Sequence, residues 1–210
     1  MKIDRLILGA YETNCYVLRN NDAAKDCLIV DTGLGSGKLN KFLEKQKLNP
    51  SALVLTHGHI DHIAGVAALR SRFPDIKVYI HKLDAKMLAE PQNNLSAMAG
   101  CLFSIEPADF SVEEHFCIEQ AGLKLSVIHT PGHTPGGICL YSKDEGIVFT
   151  DDALFADSIG RTDFPYGSLE QLLKSIMEKL FTLPDETKVY PGHGPITTIA
   201  HEKAHNPFFK

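Results

Sequence analysis

The stretch Thr56-His57-Gly58-His59-Ile60-Asp61-His62 places four side chains able to bind a metal within six residues. The apolar run Ala52-Leu53-Val54-Leu55 precedes it and an apolar-periodic segment follows, so it reads as a turn from a strand into a helix. On such a turn imidazoles and a carboxylate converge instead of alternating across a sheet. A single histidine after a strand is more often a surface or satisfied core residue than a ligand. Three histidines and an aspartate in one turn are different, because they are costly to hold together unless something binds them.

The same arrangement recurs at three later points. Val127-Ile128-His129-Thr130-Pro131-Gly132 leads to His133, Ile147-Val148-Phe149-Thr150 leads to Asp151 and Asp152, and Val189-Tyr190-Pro191-Gly192 leads to His193. Equivalent strand ends of a sheet-based core lie on one edge, so groups far apart in sequence can meet there. The glycines and prolines make sharp turns that aim the side chains. The inventory is five imidazoles (His57, His59, His62, His133, His193) with Asp61 and Asp152, Asp151 being an alternative to Asp152. A catalytic zinc takes three protein ligands and keeps one position open. This set therefore suits two ions roughly 3.5–4 Å apart, sharing a bridging carboxylate and a bridging hydroxide. Imidazole-rich sites fit zinc, iron, nickel or copper, and mixed His/Asp sites also accept manganese. Asp31, before Thr32-Gly33, reads as a carboxylate that orients ligands or forms a turn. His81, His115, His129, His201 and His205 take the bland reading.

The chain of 210 residues suits a single domain spanning 1–210, with 44% hydrophobic and 22% charged residues. A formal net charge of −5 and scattered Lys and Arg give no footprint for nucleic acid or anionic lipid. No stretch approaches a membrane span, and Asp4 and Arg5 interrupt the N-terminal apolar run, so a cytoplasmic location is expected. Five cysteines without a Cys-x-x-Cys pair argue against disulfides or a zinc ribbon, and each reads as a small buried residue. Cys15 is the candidate nucleophile among them, against the same bland reading. No serine has the glycine context of a nucleophile elbow.

Strands are expected at Ile3–Leu8, Thr13–Leu18, Asp26–Val30, Val78–Ile80, Leu123–Ile128, Ile138–Tyr141, Ile147–Phe149 and Lys188–Tyr190. Helices are expected around Leu39–Leu43, from Ile63 to near Phe73, and from Ser168 to Phe181. The last has a continuous apolar face and a capping box of Ser168 with Gln171. Residues Asp84 to Phe110 read as a helical or irregular excursion, either a lid or a surface insertion.

The pattern His57-x-His59-x-Asp61-His62, followed by His133, Asp152 and His193, resembles the metallo-β-lactamase superfamily over nearly the whole chain. That resemblance implies an α/β fold, a four-layer αββα sandwich of two mixed sheets flanked by helices. Within the superfamily the chain is similar to the glyoxalase II (hydroxyacylglutathione hydrolase) group. The supporting segments are Thr130-Pro131-Gly132-His133-Thr134-Pro135-Gly136, Thr150–Phe155, Ile159-Gly160-Arg161-Thr162-Asp163-Phe164-Pro165, and Glu202 with Asn206-Pro207-Phe208. By this resemblance His57, His59 and His133 hold one divalent ion, and Asp61, His62 and His193 hold a second. Asp152 bridges them, and Asp151 stands where the group usually has glycine. Zinc is the expected metal, with iron or manganese as alternatives.

The implied activity is hydrolysis of a thioester or related ester by a metal-bridging hydroxide. Asp61 orients that hydroxide, and Arg161 either positions an anionic substrate group or braces its own loop. Full-length glyoxalase II adds a basic helical region that grips glutathione. Only a short segment follows His193 here, so a smaller or different thioester is also expected. The rivals are a persulfide dioxygenase with one iron, whose group also carries a Gly-Arg-Thr-Asp-Phe segment, and a non-catalytic metal-binding protein.

Overall fold

Parallel strands buried on both faces should read as continuous apolar runs, and Leu53-Val54-Leu55 and Val78-Tyr79-Ile80 do so. The computed structural model, which describes residues 1–35 and 37–210, places both in one mixed sheet. The chain forms two compact units, Met1–Val112 with Ile118–Lys124, and Glu113–Cys117 with Leu125–Lys210.

The sheet of the first unit has six strands in sequence order: β1 (Lys2–Leu8), β2 (Thr13–Arg19), β3 (Asp26–Val30), β4 (Asn49–Val54), β5 (Lys77–His81) and β6 (Phe110–Val112). β1 to β3 pair antiparallel, and β3 to β6 pair parallel. Helix α1 (Gly37–Gln46) crosses from β3 to β4, and α2 (Ile60–Ile63) with α3 (Val66–Arg72) cross from β4 to β5. Leu39 and Leu43 of α1, Ile63 of α2 and Leu69 of α3 pack in one core with Val17, Ile29, Leu53 and Val78.

The expected helix from Ile63 is two short pieces broken at Ala64-Gly65. The cause lies outside the helix. Thr32 donates its backbone N–H to the His62 carbonyl at 2.9 Å, and its Oγ1 accepts the Gly65 N–H at 2.9 Å. The excursion at Asp84–Phe110 holds one 3₁₀ turn, Ala85–Ala89, and otherwise turns and bends before β6. Buried Asn94 organises it, donating to the carbonyls of Met87 and Phe103 at 3.0 Å each and accepting the Ile60 N–H at 2.8 Å.

The other large sheet has the order β14-β13-β10-β9-β8-β7, from β7 (Cys117–Gln120), β8 (Leu123–His129), β9 (Ile138–Ser142), β10 (Ile147–Asp151), β13 (Lys188–Pro191) and β14 (Thr197–Thr198). β11 (Leu154–Phe155) and β12 (Ser158–Ile159) form a separate small pair. β10 pairs parallel with β13 and antiparallel with β9. Helix α4 (Leu169–Ser175) continues as a π-turn over Ile176–Leu180. Leu172, Ile176 and Leu180 are fully buried against Cys139, Val148, Leu154 and Val189.

Two expectations are corrected on α4. Its apolar face is interrupted, since Leu169 and Met177 are 47% and 50% exposed. The capping box is half formed. Ser168 Oγ accepts the Gln171 N–H at 3.3 Å, whereas the Ser168 N–H goes to the Gly132 carbonyl at 2.8 Å. Two of the five cysteines, Cys101 and Cys117, are exposed instead of buried. Among the described residues no helix is long and apolar enough to cross a membrane.

Helix α5 (Ile199–His205), with no apolar periodicity to announce it, starts on Thr198, whose Oγ1 accepts the His201 N–H. Its Glu202 is fully buried and accepts from Thr197 Oγ1 (2.6 Å), the Asp157 N–H (3.0 Å) and Asn206 Nδ2 (2.8 Å). A buried donor left unmatched costs its desolvation energy. Glu202→Ala should therefore lower unfolding stability by about 2–3 kcal/mol in urea titration. A loss below about 0.5 kcal/mol would show that water replaces the carboxylate freely.

Candidate metal centre

In the first unit the ligand turn begins where β4 ends, and one carboxylate grips both of its ends. Asp31 follows β3 in a left-handed conformation (φ +54°), which aspartate tolerates better than most residues. Its Oδ1 accepts the Thr56 N–H at 3.0 Å, and its Oδ2 accepts Thr56 Oγ1 at 2.7 Å. Oδ2 also lies 3.2 Å from His62 Nδ1, which turns His62 Nε2 the other way, 3.3 Å from Asp61 Oδ2. Thr13 Oγ1 donates to the same Asp61 oxygen at 3.3 Å.

His57, His59 and His62 are all buried, at 1%, 3% and 0% exposure. His57 Nε2 is 3.0 Å from His59 Nδ1, and the His57 and His62 ring centroids are 4.3 Å apart. Gly58 permits this crowding. A Cβ there would stand 2.6 Å from Met87 Cβ, and the Gly58 N–H donates to buried Asp84 at 3.2 Å.

In the second unit His133 follows β8 through a turn that needs glycine. Gly132 has φ +138°, and a Cβ there would meet the Leu172 backbone at 2.4 Å. His133 Nδ1 is held by the Arg161 carbonyl at 2.7 Å, so Nε2 faces Asp152 Oδ2 at 3.5 Å. The other oxygen, Asp152 Oδ1, lies 3.6 Å from His193 Nε2. One carboxylate thus faces a different imidazole with each oxygen. A register shift between Phe149 and Asp151 on the β10–β13 pair aims this strand end, as a bulge does. Gly160 and Gly192 leave room for it. A Cβ at Gly160 would fall 1.8 Å from the Asp152 carbonyl, and one at Gly192 would fall 2.2 Å from Asp152 Oδ1.

His57, His59, Asp61 and His62 therefore stand together on the first unit, and His133, Asp152 and His193 stand together on the second. Both sets suit divalent ions. They are imidazole and carboxylate donors, mostly buried, with ring nitrogens oriented from behind by Asp31 and the Arg161 carbonyl.

Arg161 is largely exposed, pairs with both oxygens of Asp163 at 3.0 and 2.8 Å, and lies 4.2 Å over the Phe164 ring. Its guanidinium is thus paired within its own loop. Among the remaining histidines, His129 Nε2 meets the Pro135 carbonyl at 2.8 Å, His115 is exposed and His81 is buried. His201, with Asp157 and Glu202, forms another group of metal-competent side chains, but the Glu202 carboxylate is already taken by three donors.

Burial pushes the Cys15 thiol well above its ordinary range, and nearby Asp31 adds to this, so Cys15 is not poised as a nucleophile. Burial likewise raises Cys139 to about 12. The supporting roles of Thr13, Thr32 and Asp84 had no signal in the sequence, since each acts through a contact distant along the chain.

The sequence profile described as the Metallo-beta-lactamase superfamily matches residues 8–193, and the chain belongs to that superfamily. It is 40% identical over 209 residues to a probable metallo-hydrolase, YqgX, of Bacillus subtilis, covering 99% of this chain and 97% of the relative. It is 33% identical over 210 residues to the hydroxyacylglutathione hydrolase GloC of Haemophilus influenzae, covering 99% and 98%. Among solved structures, BLEG-1 B3 metallo-beta-lactamase superposes with a TM-score of 0.94 at 40% identity, with both chains fully covered. TTHA1623 in a di-iron-bound form gives 0.86 at 34% identity, covering 98% and 99%. ETHE1 from Myxococcus xanthus gives 0.80 at 32%, covering 99% and 84%. The two large mixed sheets with their helices are thus the metallo-β-lactamase fold that the ligand motif implies.

The hold of Asp31 on His62 generates a test. Asp31→Asn keeps a residue that tolerates positive φ but removes the charge behind His62. Metal affinity, measured by chelator competition, should fall about 10–100-fold with the circular dichroism spectrum retained. Unchanged affinity would show that Asp31 serves the turn alone.

Proposed function

We propose that the protein is a binuclear metal-dependent hydrolase acting on thioesters, of the hydroxyacylglutathione hydrolase type. The observation that carries this reading is Asp152, whose two oxygens face His133 and His193 separately. That is the arrangement a carboxylate needs to span two ions. His57, His59 and His133 would hold one ion, and Asp61, His62 and His193 the other. Zinc is the first expectation. Iron and manganese fit the same mixed donor set, and a related structure is a di-iron form.

Bound divalent ions supply a water acidic enough to ionise near neutral pH and a Lewis acid for the carbonyl oxygen. The chain's own residues then have definite tasks. Asp61, steadied by Thr13, offers a carboxylate to accept a hydrogen bond from the attacking water. Asp31 and the Arg161 carbonyl each fix one nitrogen of a ligating ring, so that the other nitrogen can bind. A thiolate leaves without being protonated, so no separate general acid is required. With the Arg161 guanidinium engaged by Asp163, an anionic substrate group is expected to find its contacts elsewhere.

Metal analysis of the purified protein with an S-lactoylglutathione assay tests this reading. Two equivalents of metal and turnover are expected. Asp152→Ala should lose at least one equivalent and lower kcat/KM by roughly 10²–10³-fold or more. Full activity in that variant would refute the bridging role. One iron per chain with oxygen uptake on glutathione persulfide would replace the hydrolase by a dioxygenase. Turnover of a β-lactam alone would move the substrate class to that of the BLEG-1 relative.

A further inference from the structure

Asp151 combines three properties that its own position does not require. It is buried, at 6% exposure, yet carries a carboxylate. Its backbone has φ +46°, a left-handed conformation that glycine would adopt without cost. Its side chain shares a space with that of the neighbouring residue. A point one bond from the Gly192 Cα lies 2.6 Å from Asp151 Oδ1 and 2.2 Å from Asp152 Oδ1. Adjacent residues on a regular strand point to opposite faces. The register shift between Phe149 and Asp151 ends that alternation, so both carboxylates gather over the Gly192 backbone.

A buried and a largely buried carboxylate directed at one spot repel each other and are expensive to desolvate, a cost that a cation between them offsets. The turn itself needs neither charge. The Asp151 carbonyl accepts the Gly192 N–H at 3.0 Å, and any residue at 151 could make that contact.

We propose that Asp151 is an additional carboxylate of the metal centre and biases the centre toward ions that take carboxylate oxygen more readily relative to zinc, manganese(II) foremost and iron(II) as the ion of mixed imidazole and carboxylate sites. This rests on the two-metal reading above. Charge balance and ligand chemistry act in the same direction. Asp61 and Asp152 neutralise half the charge of two divalent ions, and Asp151 raises this to three quarters. Imidazole favours zinc strongly over manganese, whereas carboxylate oxygen favours it much less. A third carboxylate therefore narrows the advantage of zinc.

The test uses the full chain stripped with chelator, then equilibrated anaerobically with zinc in competition with manganese(II) or iron(II), with bound metal read by mass spectrometry. Wild type, Asp151→Asn and Asp151→Gly are compared. Asparagine keeps the volume and tolerates positive φ, and glycine relieves the backbone, so a folding defect in one variant leaves the other informative. The proposal expects both variants to shift the manganese-to-zinc and iron-to-zinc affinity ratios toward zinc by about tenfold. Two equivalents in the wild type with ratios unchanged in both variants would overturn this inference and leave the two-metal reading standing. Fewer than two equivalents in the wild type would overturn both.

Discussion

The first ligand set depends on the Asp31 carboxylate more than on any other single group. Buried at the end of β3, it accepts from the backbone and the hydroxyl of Thr56 and meets the Nδ1 of His62. One side chain thereby fixes both the first and the last residue of the Thr56–His62 turn. Thr32, the next residue, takes the carbonyl of His62 and the amide of Gly65, which breaks the helix after Ile63. A turn carrying three buried imidazoles has no large apolar face to hold it in place. The end of the mixed sheet holds it instead, through hydrogen bonds made by the two residues that follow the neighbouring strand β3. Asp31 is buried and its two oxygens meet three donors, a setting in which hydrogen bonds to a carboxylate are strong.

The second set is built by exclusion of side chains as much as by hydrogen bonds. Gly132, Gly160 and Gly192 each occupy a place where a Cβ would strike Leu172, the Asp152 backbone or the Asp152 carboxylate. The bulged end of β10 and the close approach of Gly192, the residue after β13, let Asp152 turn one oxygen to His133 and the other to His193. The same geometry gathers the Asp151 carboxylate beside that of Asp152.

The sheets and the ligand candidates were legible because their signals are local. Runs such as Leu53-Val54-Leu55 and Ile147-Val148-Phe149 announce buried strands, and metal-competent residues follow them at once. What remained hidden depends on distant contacts. The break between α2 and α3 comes from Thr32, the half-formed cap at Ser168 from the Gly132 carbonyl, and the order of the excursion from Asn94. The π-turn after Ser175 is a shift of backbone pairing that apolar periodicity does not encode, so Met177 looked like core and is half exposed. Arg161 had two readings in the sequence, and its pairing with Asp163 is a contact between neighbours that spacing alone does not announce.

We propose above that Asp152 bridges a pair of metal ions. Anomalous diffraction at the metal edge from crystals of the metal-loaded protein tests it directly. Two peaks roughly 3.5–4 Å apart are expected, one contacted by His57, His59 and His133, the other by Asp61, His62 and His193, with Asp152 touching both. A single peak, or peaks held by one ligand set alone, would contradict the account.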